Sequence, residues 1–158
     1  KVTLHKVLTA TKSMNNSGNA KIIKPNKQVL GYPVIDFQLV KELFTTEETH
    51  KILGNTDGAA EKSVTAQTPA TFIWTTQTDE LVPVANTLVY VNELQKAGVN
   101  YEAHIFGWGP HGLAMSNNQT NYLPLDGKHD DRSFVNYHTA TWFKLAIDWL
   151  EKDEYGIK

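Results

Sequence analysis

The sequence predicts an α/β fold, a mostly parallel sheet with flanking helices. Short, nearly continuous apolar runs suit strands buried on both faces, as in a parallel sheet. Their order along the chain (strand, helix, strand, long excursion, helix) is the rhythm of a right-handed βαβ winding. The last helix carries an apolar face too wide for so few strands to cover.

In chain order, Leu4, Val7, Leu8 and Thr11 fall at helical spacing and predict a short amphipathic helix over 2–14. Polar residues from Asn15 to Asn26, with Gly18 and Pro25, read as a loop. Val29-Leu30-Gly31-Tyr32 is the first buried strand. Val40–Phe44 and Glu47–Leu53 are short helix candidates, and Thr71–Thr75 is the second strand. After it, Pro83 suits a first helical turn, Val84, Leu88, Val91 and Leu94 are expected to line one face, and Gly98 supplies the stop. Tyr101–Phe106 is the third strand, and a polar loop over roughly 114–138 leads to a helix from about Thr141 to Lys152. In that helix Trp142, Leu145, Ala146 and Trp149 form one stripe, with Phe143, Ile147 and Leu150 beside it. So broad a face predicts an unfinished core.

The 158 residues fit a single domain. Fifteen basic against seventeen acidic residues give a net charge of −2, which offers no footprint for nucleic acid or an anionic membrane. Without cysteine there is no thiol nucleophile, disulfide or Cys-ligated zinc. No apolar run approaches the ~20 residues of a membrane span, and the first residues lack a signal-peptide core, so a cytoplasmic location is expected.

Functional groups of a parallel sheet collect at the carboxyl ends of its strands. Two loops there stand out, Thr75–Pro83 and Gly107–Leu113. If their strands are parallel, Asp79 and His111 emerge at one edge. A carboxylate beside an imidazole is the orienting half of a nucleophilic triad. Taken alone, Asp79 is a turn or cap residue and His111 a loop histidine. Their order, acid before base and each just past its strand, favours the sharper reading. Asp36, after the first strand, is the alternative acid, though a cap for the next segment is its plainer role. His129-Asp130-Asp131-Arg132 is a solvated charge cluster rather than a metal site, and His104 pairs with Glu102 on a strand face. Trp108 either packs on substrate or anchors its turn.

Several spaced segments then coincide with a known family. Leu30-Gly31-Tyr32-Pro33-Val34-Ile35, Thr68–Trp74, Asp79–Val84, Asn86–Leu94, Glu102–Phe106 and Gly109-Pro110-His111-Gly112-Leu113 occur in the order found in bacterial acetyl and xylan esterases of the α/β-hydrolase superfamily. The chain resembles the C-terminal portion of that fold, from about Val29 to Leu113, as a single partial domain over 1–158. The resemblance implies a serine esterase of short-chain, chiefly acetyl, esters, with Asp79 the triad acid and His111 its base. It implies a small ester substrate, such as an acetylated sugar, and no cofactor or metal. The family's Gly-x-Ser-x-Gly elbow and His-Gly-Gly oxyanion segment are not found: Ser13, Ser17, Ser63, Ser116 and Ser133 all lie in other settings. By itself the chain is therefore expected to be inactive. It is also expected to pair with a missing N-terminal half, or with itself, along the strand at 29–32. The alternative is a non-catalytic module binding a partner through that edge.

Overall fold

The computed structural model describes residues 11–14, 20–23, 25–40, 58–120 and 134–152. It opens with an antiparallel ribbon of β1 (Thr11–Met14) and β2 (Ala20–Ile23). This corrects two expectations, because β1 occupies the end of the helix predicted over 2–14 and β2 interrupts the predicted loop. The intervening Asn15-Asn16-Ser17-Gly18-Asn19 has turn chemistry, and a helix that short is marginal without tertiary support. Residues 2–10 lie outside the described residues.

A three-stranded parallel sheet follows, in the order β3 (Lys27–Gly31), β4 (Ala70–Thr76), β5 (Tyr101–Phe106). All three strands overlap the segments where the sequence predicts them. Only β4 is buried on both faces. Among the described residues β3 pairs with β4 alone and lies at an edge of this sheet, and Val29 is 38% exposed, so the burial expected on both faces is incomplete. On its other side no ladder partner occurs among the described residues.

One face of the sheet carries α1 (Ala85–Lys96), with Ile73, Ile35, Tyr90, Leu94 and Val99 packed between. The inward face of α1 differs from the predicted stripe. Asn86, Thr87, Tyr90 and Leu94 are buried, while Leu88 is 51% exposed. The cause is polar: Asn86 Oδ1 accepts from both Ile35 N and Asp36 N at 3.0 Å, satisfying two amides of the segment after β3. Gly98, at φ +68°, ends the helix in a Schellman arrangement, with Val99 N donating to Leu94 O and Gly98 N to Gln95 O.

The other face carries α2 (Tyr137–Glu151) over Phe72, Trp74, Phe106 and Leu113. This helix begins four residues before the predicted Thr141, because Asn136 caps it, its Oδ1 accepting from His138 N and Thr139 N. Ala146 and Trp149 of the first predicted stripe are buried, whereas Phe143, Ile147 and Leu150 of the second remain exposed. At the far end Lys27 Nζ donates to Leu150 O and Lys152 O, both at 2.9 Å, closing α2 with a cation from β3. Of the helix candidates Val40–Phe44 and Glu47–Leu53, all but Val40 lie outside the described residues. Among the described residues, no helix is long and apolar enough to cross a membrane.

Candidate active site

Register positions the site. β4 and β5 run parallel, with Thr76 opposite Phe106, so the loops that follow leave from the same end of the sheet. Gln77 N donates to Phe106 O at 2.8 Å, extending the ladder beyond the strands. Two threonines then join the loops. Thr76 Oγ1 donates to Gly109 O at 2.6 Å, and Thr78 Oγ1 accepts from Gly109 N at 2.9 Å. Gly109 is a point of close approach: a Cβ there would meet Leu113 Cδ1 at 2.5 Å and Thr76 Cγ2 at 3.0 Å, on a backbone at φ +151°.

Within this frame Asp79 Oδ2 lies 2.9 Å from His111 Nδ1. The Asp79 side chain is 1% exposed and that of His111 15%. The other carboxylate oxygen, Oδ1, accepts from Leu81 N at 3.0 Å and Val82 N at 2.8 Å. Asp79 is thus both the turn residue of the plainer reading and the partner of an imidazole, one role for each oxygen. A carboxylate only accepts, so this contact suits the tautomer with its proton on Nδ1, in which Nε2 can accept. Nε2 has no protein partner among the described residues. Such an arrangement can take a proton from a hydroxyl and stabilise the imidazolium that forms.

Asp36 stands apart from this pair. Its Oδ1 accepts from Gln38 N at 2.8 Å and caps the 3₁₀ turn Phe37–Leu39, and its backbone bridges to Ala59. His104 meets Glu102 at 2.8 Å on β5, as its strand face predicts. The His129–Arg132 cluster, His5 and His50 lie outside the described residues. No group of three potential metal ligands occurs among the described residues. The Trp108 carbonyl accepts from Asn136 Nδ2 at 3.0 Å and Thr139 Oγ1 at 3.2 Å, so its backbone anchors the loop to α2 while the residue as a whole stays 53% exposed.

Two contributions were not legible in the sequence. The threonine stitching has no motif, since Thr76 and Thr78 differ in no way from neighbouring threonines. Tyr32 packs its ring against the His111 ring, with centroids 4.9 Å apart and planes at 74°, across a sequence separation that no spacing rule connects.

Comparison with known proteins bears on the family and the fold. The profile of the prolyl oligopeptidase family matches residues 41–126. An endo-1,4-β-xylanase B of Butyrivibrio fibrisolvens is 32% identical over 102 residues, covering 61% of this chain and 16% of that protein. A carboxylesterase from Lactobacillus plantarum is similar over 87% of this chain and 46% of its own, at 32% identity and a TM-score of 0.68. An acetyl ester-xyloside bifunctional hydrolase from Caldicellulosiruptor lactoaceticus is similar over 81% of this chain and 42% of its own, at 31% identity and a TM-score of 0.56. This chain therefore spans less than half the length of each of these proteins. Its parallel sheet with a helix layer on each face is a partial α/β-hydrolase fold, and the chain belongs to the prolyl oligopeptidase family.

Proposed function

We propose that this chain supplies the acid and base of a serine carboxylesterase acting on short-chain esters, acetyl esters foremost. The observation that carries the proposal is the divided Asp79 carboxylate, held by two backbone amides on one oxygen and by His111 on the other. Two amides fix the acid in place before any substrate arrives, and pre-organisation of this kind costs no rearrangement during reaction.

In the proposed reaction a serine from a segment outside residues 1–158 attacks the ester carbonyl. As its Oγ–C bond forms, its proton passes to His111 Nε2, and Asp79 stabilises the resulting imidazolium. Collapse of the tetrahedral intermediate breaks the C–O bond to the alcohol, which leaves with the proton from Nε2. Water then repeats the sequence on the acyl-enzyme, releasing carboxylic acid and free serine. Residues 1–158 would act as one partial domain, with the nucleophile-bearing portion seated along the open edge of β3. An acetylated sugar is the substrate class we favour, because relatives at 31–32% identity include an acetyl ester-xyloside hydrolase and a xylanase. The family name points instead to peptides, but the carboxylesterase is similar over more of the chain than the family profile.

Turnover of a chromogenic acetyl ester tests this. Residues 1–158 alone should give no turnover and no labelling by a serine-directed phosphonate. The same residues joined to their nucleophile-bearing portion should give both, and His111→Ala should lower turnover by about 10⁴-fold or more. Labelling of a serine within 1–158, or full activity in His111→Ala, would sink the proposal. Preference for a prolyl peptide over the ester would keep the triad and change the substrate class. A folded protein with no hydrolytic activity in the joined form would favour the binding-module alternative.

A further inference from the structure

We infer that Tyr32 is a positioning residue for His111, holding the imidazole in the plane that Asp79 requires; the inference rests on the triad reading above. A single hydrogen bond at Nδ1 fixes one atom of the ring. The ring can still tilt about the N···O line and swing about its bond to Cβ, and either motion carries Nε2 away from a nucleophile. A displacement of about 1 Å at a reacting group costs on the order of a hundredfold in rate. A second rigid contact is therefore needed, and among the described residues Tyr32 provides it, ring edge against ring at 4.9 Å.

Tyr32 is itself held on every side. Its amide donates to Trp74 O at 2.6 Å, and its ring meets the Trp74 indole edge-on at 5.0 Å and 88°. Its hydroxyl accepts from Ala114 N at 3.2 Å. The Ala114 carbonyl in turn accepts from Trp142 Nε1 at 2.8 Å, and Trp142 stacks on Trp74 with centroids 4.8 Å apart and planes at 17°. The contacts close a circuit: Tyr32, Ala114, Trp142, Trp74 and back to Tyr32. It joins the segment just after β3, β4, α2 and the loop that carries His111. Both residues of the bond that closes the front of this circuit have left-handed backbones, Tyr32 at φ 37° and Ala114 at φ 47°. Side chains with a Cβ avoid that region, and such strain persists only where surrounding contacts over-determine it. Ala114 lies three residues past His111, so the circuit restrains the histidine's ring and its loop together.

Proton exchange at the His111 imidazole tests this on residues 1–158, by isotope-labelled NMR with circular dichroism to verify folding. The unchanged chain should show a protected Nδ1 proton and the Nδ1–H tautomer. Tyr32→Leu removes the ring and should speed exchange of that proton by about tenfold or more and mix the tautomers, as expected when a local opening equilibrium is loosened. Tyr32→Phe keeps the ring and loses the bond to Ala114, with an expected increase of about threefold. If Tyr32→Leu does not fold, Tyr32→Phe and Trp142→Phe, which retains the stack but loses the bond to Ala114 O, decide the matter on the same measurement. Exchange at the unchanged rate in the folded variants would overturn the role of Tyr32 while leaving the Asp79–His111 pair standing. An Nε2–H tautomer in the unchanged chain would overturn the triad reading itself.

Discussion

Glu102 and His104 form a second carboxylate–imidazole pair, Oε1 to Nε2 at 2.8 Å, on the strand that leads to His111. The two pairs have the same chemistry and different surroundings. Glu102 and His104 sit two residues apart on one face of β5, each side chain 27% exposed, with the imidazole packed beside Phe72 and Phe106. Asp79 and His111 come from separate loops, and the Asp79 side chain is 1% exposed. Solvent screens the first pair and is excluded from the acid of the second.

The contrast can be measured. Glu102→Gln should leave ester turnover within about twofold and stability within about 1 kcal/mol, as for a screened surface pair. Asp79→Asn should lower kcat by about 10⁴-fold, because an amide at that position favours the wrong imidazole tautomer. Equal effects of the two substitutions on turnover would remove the distinction drawn here.

Lys27 couples the edge strand to the end of α2. Its ammonium reaches the carbonyls of Leu150 and Lys152 and lies 5.4 Å from the centre of the Trp149 ring. Lys27→Met keeps the aliphatic stem and removes the charge. We expect a loss of about 1 kcal/mol in urea denaturation, shrinking as salt is raised. A variant as stable as the parent would show that the cap is idle.

Asn86 is the buried polar residue that displaces Leu88 from the core face of α1. Asn86→Ala strands the amides of Ile35 and Asp36, and the expected loss is about 2–3 kcal/mol by denaturation midpoint. A loss below about 0.5 kcal/mol would mean that water or a shifted backbone replaces the amide oxygen.

Tyr90 supplies a pH dependence. Burial pushes its phenol above the ordinary 10.0, and the hydrogen bond from Gln28 only partly offsets this. The folded state therefore binds this proton more tightly than the unfolded state. The resulting stability is fully present below pH 10.0 and is lost as pH rises through the folded value. Relative to Tyr90→Phe, the parent should lose stability only above that pH, and one tyrosine should ionise late in an ultraviolet titration. Parallel stability curves for the two proteins across the alkaline range would contradict the assignment.

Much of the fold is legible in local sequence. The strands at 29–32 and 71–75 are short apolar runs, 101–106 is a strand-period pattern, and Gly98 marks a helix end by backbone chemistry alone. Legibility fails where one particular hydrogen bond or a pairing strand decides. The helix from Tyr137 starts early because Asn136 caps it, and Leu88 is exposed because Asn86 has amides to satisfy. Residues 11–14 are a strand because Ala20–Ile23 lies beside them.

The same division runs through the site. The sequence by itself determined that a carboxylate and an imidazole follow successive strands, in the order the proposed triad needs. It also determined that no serine of this chain sits in a nucleophile elbow. Only the tertiary structure decided that Asp79 rather than Asp36 reaches His111, that each Asp79 oxygen has its own partner, and that the Tyr32 ring backs the imidazole. Those are matters of distance across the fold. Residues far apart in sequence meet only after the sheet register and the helix packing are set, and no local pattern encodes that meeting.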